Sequence, residues 1–169
     1  MFPDPISNPM LPFTATTEIP FYWQQYLLAN SKSTLYSASP CSLLIQEIHV
    51  ETHVLWHIVF NITKDDQLIR LVLPPGIFQL LLYNIQNNGE IIFLHQELGL
   101  GISEKDYCYL GGGFSDRDLR VLVSKGTYQT VMFPFSRQNQ RSTVTGMKSD
   151  ETFAFIEKNL MAIGIPLIS

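Results

Sequence analysis

The sequence predicts a mainly β protein, a closed or nearly closed antiparallel sandwich, jelly roll or small barrel, followed by one amphipathic helix. Three observations predict it. Between Ser42 and Phe135, short runs rich in Ile, Val, Leu, Phe and Tyr are separated by turn residues, a texture that favours strands over helices. About eight such runs at this spacing point to an all-β architecture that closes on itself and so removes its open edges. In a chain of 169 residues only 15% are charged and 12% are aromatic, a composition that excludes disorder and supplies a filled interior.

The first twenty residues carry Pro3, Pro5, Pro9, Pro12 and Pro20, and each ring fixes φ and removes a donor, so this segment reads as an extended arm. FYWQQYLLA (21–29) spaces Tyr22, Tyr26 and Ala29 for a short helix before the turn at Ser31-Lys32-Ser33. The strand runs then follow in order: SLLIQEIHVE (42–51), HVLWHIVFNI (53–62), QLIRLVL (67–73) and IFQLLLYNI (77–85), then EIIFLHQ (90–96), DYCYL (106–110), DLRVLVS (118–124) and TYQTVMFPF (127–135). In the second run Val54, Trp56, Ile58, Phe60 and Ile62 share one face and His57 and Asn61 the other, as in a strand with one face in a core. Asn88-Gly89 signals a hairpin, because both central positions of a type I′ turn need positive φ.

After Phe135, SRQNQRSTVTGMKSD is a polar loop, and Glu151 to Ile163 resumes at helical period with Phe153, Ile156, Leu160 and Ile163 on one stripe. Ser149 or Asp150 caps that helix, and Gly164 with Pro166 ends it. The chain thus divides into an arm with a short helix (1–41), a β unit (42–136), and a loop with a C-terminal helix (137–169).

A net charge of −4, from 11 Lys and Arg against 15 Asp and Glu, is the wrong sign for a surface that grips phosphates, so this segment alone is not expected to bind nucleic acid. Cys41 and Cys108 lie far apart with no CxxC, which fits a reduced, cytoplasmic setting. The N-terminus has no basic region or apolar stretch of a secretory signal, and no window of ~18 apolar residues crosses a bilayer, so no membrane association is expected.

His49, His53 and His57 fall at four-residue steps, and imidazole is a common metal ligand. On one strand each step spans about 13 Å, so the three meet one ion only if a turn at Glu51-Thr52 folds the chain back. Gly111-Gly112-Gly113 and Gly99-Leu100-Gly101 lack the residues of a nucleotide loop and read as turns. No Gly-x-Ser-x-Gly elbow occurs, Cys108 between two tyrosines reads as a buried apolar group, and Asp116-Arg117-Asp118 as a solvated turn. With no catalytic constellation, the sequence is read as non-enzymatic, with no catalytic residue, metal or cofactor assigned. Ligand pockets are apolar concavities with a few placed polar atoms, and on that ground Gln46, His49, Trp56, His57, Gln79, Tyr83, Tyr107, Tyr109 and Arg120 are the binding candidates.

SLLIQEIHVETHVLWHIVFNI, LVLPPGIFQLLLYNI and EKDYCYLGGGFSDRDLRVLVSKGTYQTVMFPFS together resemble the N-terminal sensor domain of a group of AraC-type transcription regulators, especially from Bacteroidetes-like bacteria. The resemblance covers about residues 42 to 136. It rests on Gln46-Glu47 at the end of one strand, Trp56 in the next, and Val123-Ser124-Lys125-Gly126-Thr127-Tyr128 leading into Met132-Phe133-Pro134-Phe135-Ser136. It implies a cupin-like β-barrel or jelly roll that senses a small-molecule effector or mediates dimerisation, followed in the usual member by two helix-turn-helix units that bind DNA.

This chain stops after one helix at Ser169, so it is read as a sensor fragment or a stand-alone relative, reaching DNA only through a helix-turn-helix region absent from it. The cupin His-x-His and Glu metal pattern is absent too. The resulting expectation is an effector-binding, homodimeric sensor domain. Phe153, Ile156, Leu160 and Ile163 are its candidate dimer surface, with packing on the chain's own barrel as the competing use of that stripe. The alternative is a small metal-dependent cupin enzyme using His49, His53, His57 or His95, and a third reading is an interaction scaffold whose barrel is filled by its own side chains.

Overall fold

A computed structural model describes residues 4–7, 13–51, 53–95, 98–111, 118–136 and 149–165. Its strands are β1 (Asp4–Ser7), β2 (Thr14–Thr16), β3 (Lys32–Ala38), β4 (Cys41–Val50), β5 (His53–Ile62) and β6 (Gln67–Val72), then β7 (Ile77–Asn87), β8 (Ile91–His95), β9 (Leu98–Gly101), β10 (Tyr107–Leu110), β11 (Asp118–Val123) and β12 (Gly126–Ser136). A 3₁₀ helix spans Phe21–Tyr26, and α1 spans Ser149–Ala162. All pairings are antiparallel, in a smaller sheet ordered β1-β6-β11-β8-β9 and a larger one ordered β10-β7-β12-β5-β4-β3-β2.

The chain from β5 to β12 passes back and forth between the sheets, so that β5, β12, β7 and β10 face β6, β11, β8 and β9. That is the double Greek key of a jelly roll. The strands β2, β3 and β4 widen the larger sheet beyond β5, and β1 widens the smaller one beyond β6.

The period of two decides what fills the space between the sheets. Trp56, Ile58, Phe60 and Ile62 of β5 point inward beside Leu43 and Ile45 of β4, and meet Ile69, Leu71, Phe93, Leu119 and Val121 from the smaller sheet. The alternation read in β5 is therefore its inner face. Its other face is buried as well, because two elements cover the outside of the larger sheet. Helix α1 lays Ile156 and Leu160 over Ile48, Leu55, Leu81, Val131 and Phe133. Further along, Trp23 of the 3₁₀ helix covers Leu35, Leu44 and Val59.

This arrangement corrects the use proposed for the helical stripe. Ile156, Leu160 and Ile163 are buried in their own chain and Phe153 is half-buried there, because the outer face of the larger sheet is itself apolar. The stripe therefore offers no dimer surface. The helix ends as its sequence indicates: Gly164 has φ +84°, its N–H donates to the Met161 carbonyl (3.2 Å), and Ile165 N–H donates to the Leu160 carbonyl (3.0 Å). These are the two bonds of a Schellman cap, with Ile165 tucked into the helix–sheet core.

Asn88-Gly89 does not make a hairpin. It carries the chain from β7 in the larger sheet to β8 in the smaller one, and neither residue has positive φ. Gly89 is required by crowding. A Cβ there would run into the Tyr128 hydroxyl and stand 2.8 Å from Ser124 Oγ and 2.9 Å from the Lys125 carbonyl.

The short helix expected over 21–29 is a 3₁₀ helix over Phe21–Tyr26, whose buried residue is Trp23 with Tyr26 packed against the same cluster. The strands β1, β2, β3 and β9 are not among the runs the sequence predicts; β1 and β2 lie in the segment read as an extended arm and pair with β6 and β3. The Ser31-Lys32-Ser33 turn runs directly into β3, and β9 is the short Leu-Gly-Leu-Gly edge segment, held by backbone pairing with little side-chain signal. The polar loop 137–148, Gly112-Gly113, Asp116-Arg117 and Pro166 lie outside the described residues. Among the described residues no helix is long and apolar enough to cross a membrane.

Candidate functional site

The polar centre of the molecule lies on the outer face of the larger sheet, between α1 and the 3₁₀ helix. The register of β4 with β5 sets Gln46 opposite His57, and β12 brings Gln129 to the other side of the imidazole. Gln46 Nε2 lies 2.9 Å from His57 Nδ1, His57 Nε2 lies 3.1 Å from Gln129 Oε1, and Gln129 Nε2 donates to Gln86 Oε1 at 2.8 Å. An amide NH₂ can only donate and an amide oxygen only accept, so this chain assigns the proton of His57 to Nε2 and leaves Nδ1 as an acceptor. The imidazole is fully buried and held neutral. Desolvation pushes its pKa down to about 4, against a smaller upward pull from the Gln129 hydrogen bond.

Gln46 also ties down the preceding segment. Its Nε2 donates to the Tyr26 carbonyl (2.8 Å), while its Oε1 accepts from Leu28 N–H (2.8 Å) and from the hydroxyls of Ser31 (3.1 Å) and Ser33 (3.3 Å). Every donor and acceptor of this buried amide is engaged, which fixes residues 26–33 on the sheet. The fixing creates a cleft of about 100 Å³ walled by Tyr22, Trp23 and Tyr26, with Val59, Asn61 and Thr127 of the sheet below.

At the opposite end of the same face, β10 presents Tyr107 and Tyr109 to the start of α1. The Tyr107 hydroxyl donates to Ser149 Oγ (3.2 Å), and the Tyr109 hydroxyl is 2.8 Å from Thr152 Oγ1. Burial raises the pKa of Tyr109 and of its neighbour Tyr83, and Glu157 and Asp106 raise that of Tyr83 further. Tyr107 and Tyr109 anchor the start of the helix.

The structure thus brings Gln46, His57, Tyr83, Tyr107 and Tyr109 to one face of one sheet, with buried Gln79 on the same side. It separates the others from them. Trp56 lies on the inner face, its indole N–H without a partner. His49 is exposed, 3.3 Å from the buried Glu47. Arg120 is exposed on the smaller sheet, where its neighbours Leu119 and Val121 point inward.

A turn does fold β4 back on β5, yet His49 and His57 project from opposite faces, because Gln46, not His49, is the register partner of His57. Among the described residues no group of three or more His, Cys, Asp and Glu is placed to hold a metal ion. The thiols of Cys41 and Cys108 are pushed up by burial, to about 11 and about 12, with Asp106 adding to the effect at Cys108.

Sequence reasoning missed Trp23, Tyr26, Gln129 and Gln86. Gln129 had a signal, since it is the polar residue at an alternating position of TYQTVMF that carries the same face as His57. Trp23 and Tyr26 had none beyond their size.

No protein family's sequence profile matches the chain, and no curated protein matches it. Solved structures do. A cupin superfamily protein from Desulfitobacterium hafniense is similar at 10% identity and TM-score 0.38, over 56% of this chain and 77% of that one. A protein described as a predicted oxalate decarboxylase, from Thermotoga maritima, is similar at 8% identity and TM-score 0.43, over 65% and 98%. The cupin domain of Drosophila melanogaster CENP-C is similar at 9% identity and TM-score 0.40, over 62% and 76%. The fold is a jelly roll. Its strand order establishes the jelly roll, and these likenesses concern the fold alone.

Proposed function

We propose that the chain is the effector-binding and dimerisation domain of an AraC-type transcription regulator. The observation that carries this reading is the pair of accessory elements on one face of the sheet. The segment 21–33 is latched by Gln46, and α1 by Tyr107 and Tyr109, in both cases through hydrogen bonds between elements distant in sequence. A small molecule that binds one arrangement of these elements better than another shifts the balance between them by its differential affinity. Because α1 follows the jelly roll, such a shift reaches whatever is attached beyond it, which in the regulators of this type is a DNA-binding half. The resemblance over residues 42 to 136 supports the regulator class.

Native mass spectrometry of the protein from its own host tests the reading. A dimer retaining a small organic molecule supports it. A monomer carrying a stoichiometric transition metal overturns it in favour of the cupin enzyme, a reading weakened by the opposed directions of His49 and His57.

A further inference from the structure

The cleft beside the 3₁₀ helix has the chemistry of a cation site. Tyr22 and Tyr26 wall it, with the buried Trp23 between them in sequence. The centroids of Tyr22 and Trp23 are 5.8 Å apart with the planes inclined at 43°, and those of Trp23 and Tyr26 are 6.0 Å apart at 58°. The three rings are therefore tilted on one another and do not form a flat stack. Each aromatic face is the negative end of a quadrupole, so the Tyr22 and Tyr26 rings that line the cleft favour a positive charge beside them.

Among the described residues none that lines the cleft is charged, so no lysine or arginine of that lining competes for the rings. The chain as a whole carries a net charge of −4, which favours the approach of a cation. Among the described residues no carboxylate lines the cleft to replace the hydration of a bare ammonium, whose desolvation is costly. The cation that fits is one already weakly hydrated because methyl groups cover its nitrogen.

We infer that the cleft formed by Tyr22, Trp23 and Tyr26 binds a methylated ammonium group. The site is prebuilt: Gln46 holds the Tyr26 carbonyl and Leu28 N–H, and Trp23 is packed on Val59 and Leu44. Tyr22 is the outer wall, 62% exposed, and closes the concavity from the solvent side. Asn61 and Thr127 at the floor offer hydrogen bonds to the remainder of such a ligand. This site lies on the outside of the larger sheet, apart from the jelly-roll interior, and it stands whether or not the chain serves as a sensor.

Calorimetric titration of the full chain with choline, against its neutral carbon isostere 3,3-dimethyl-1-butanol, tests the inference. Choline is expected to bind saturably, and the isostere at least about tenfold more weakly because it has the shape without the charge. Tyr22→Ala should weaken choline binding by about fivefold to thirtyfold, one ring's share of the attraction, and Tyr22→Phe should restore it. Because Tyr22 is exposed, circular dichroism of both variants should match the parent. Equal binding of the isostere, a Tyr22→Ala variant that binds choline as well as the parent, or no saturation with choline in the millimolar range would each overturn the inference.

Discussion

Acidification should unlatch the outer face through His57, and the size of the effect follows from its surroundings. The folded imidazole titrates at about 4 against 6.5 for an ordinary histidine, because burial penalises its charged form, against a smaller upward pull from the Gln129 hydrogen bond. The folded state therefore binds this proton less readily than the unfolded chain. The stability that the neutral ring contributes is fully present above the unfolded value and is lost as pH falls from 6.5 towards 4. At 1.36 kcal/mol per unit the loss is about 2 kcal/mol near pH 5 and ~3 kcal/mol near pH 4.

Urea denaturation across this range reads it directly, with His57→Gln as the comparison. A glutamine can accept from Gln46 and donate to Gln129 but cannot gain a proton, while the carboxylates and the other histidines stay common to both proteins. The parent should lose about 2 kcal/mol more than the variant between neutral pH and about pH 5. Parallel pH profiles for the two proteins would refute both the buried neutral ring and the hydrogen-bond chain from which its state is assigned.

Three further outcomes follow from packing and burial. Leu160→Ala should cost about 2 to 5 kcal/mol in chemical denaturation, and Ile156→Glu with Leu160→Glu should abolish the thermal transition; a folded monomer would instead show that the stripe serves a dimer. Gly89→Ala should lower stability by about 1 to 3 kcal/mol, seen as a reduced melting temperature, because its Cβ meets the Tyr128 hydroxyl and the Ser124 side chain. Cys41 and Cys108 should react with a thiol reagent far more slowly than a free thiol at mildly alkaline pH, and at the ordinary rate once denatured; fast labelling of the native protein would contradict their burial.

Much of the β framework is legible along the chain because a strand that buries a face must write that face at every second residue. Trp56, Ile58, Phe60 and Ile62 do so, and β5 spans His53–Ile62, the run the sequence predicts. The end of α1 is equally local, since Gly164 adopts the positive φ that a Schellman cap uses. Where side-chain signal is thin the reading fails, as at β9, where two of four residues are glycine.

The partners of each surface were settled only by the tertiary fold. An Asn-Gly pair marks a turn, but whether the next strand returns beside the last or crosses to another sheet depends on pairings with β10, β11 and β12 far along the chain. An amphipathic helix declares an apolar stripe without declaring what covers it, and here the outer face of the larger sheet does. His57 alternates as a polar residue that the sequence reads as facing solvent or a ligand mouth. The sequence by itself determined the strands β4 to β8 and β10 to β12 and the helix cap, because those depend on neighbours a few residues away. The burial, tautomer and neutrality of His57 were decided only when folding brought Gln46 from 11 residues away and Gln129 from 72 residues away to its two nitrogens, because a hydrogen bond depends on positions in space and those come from the fold.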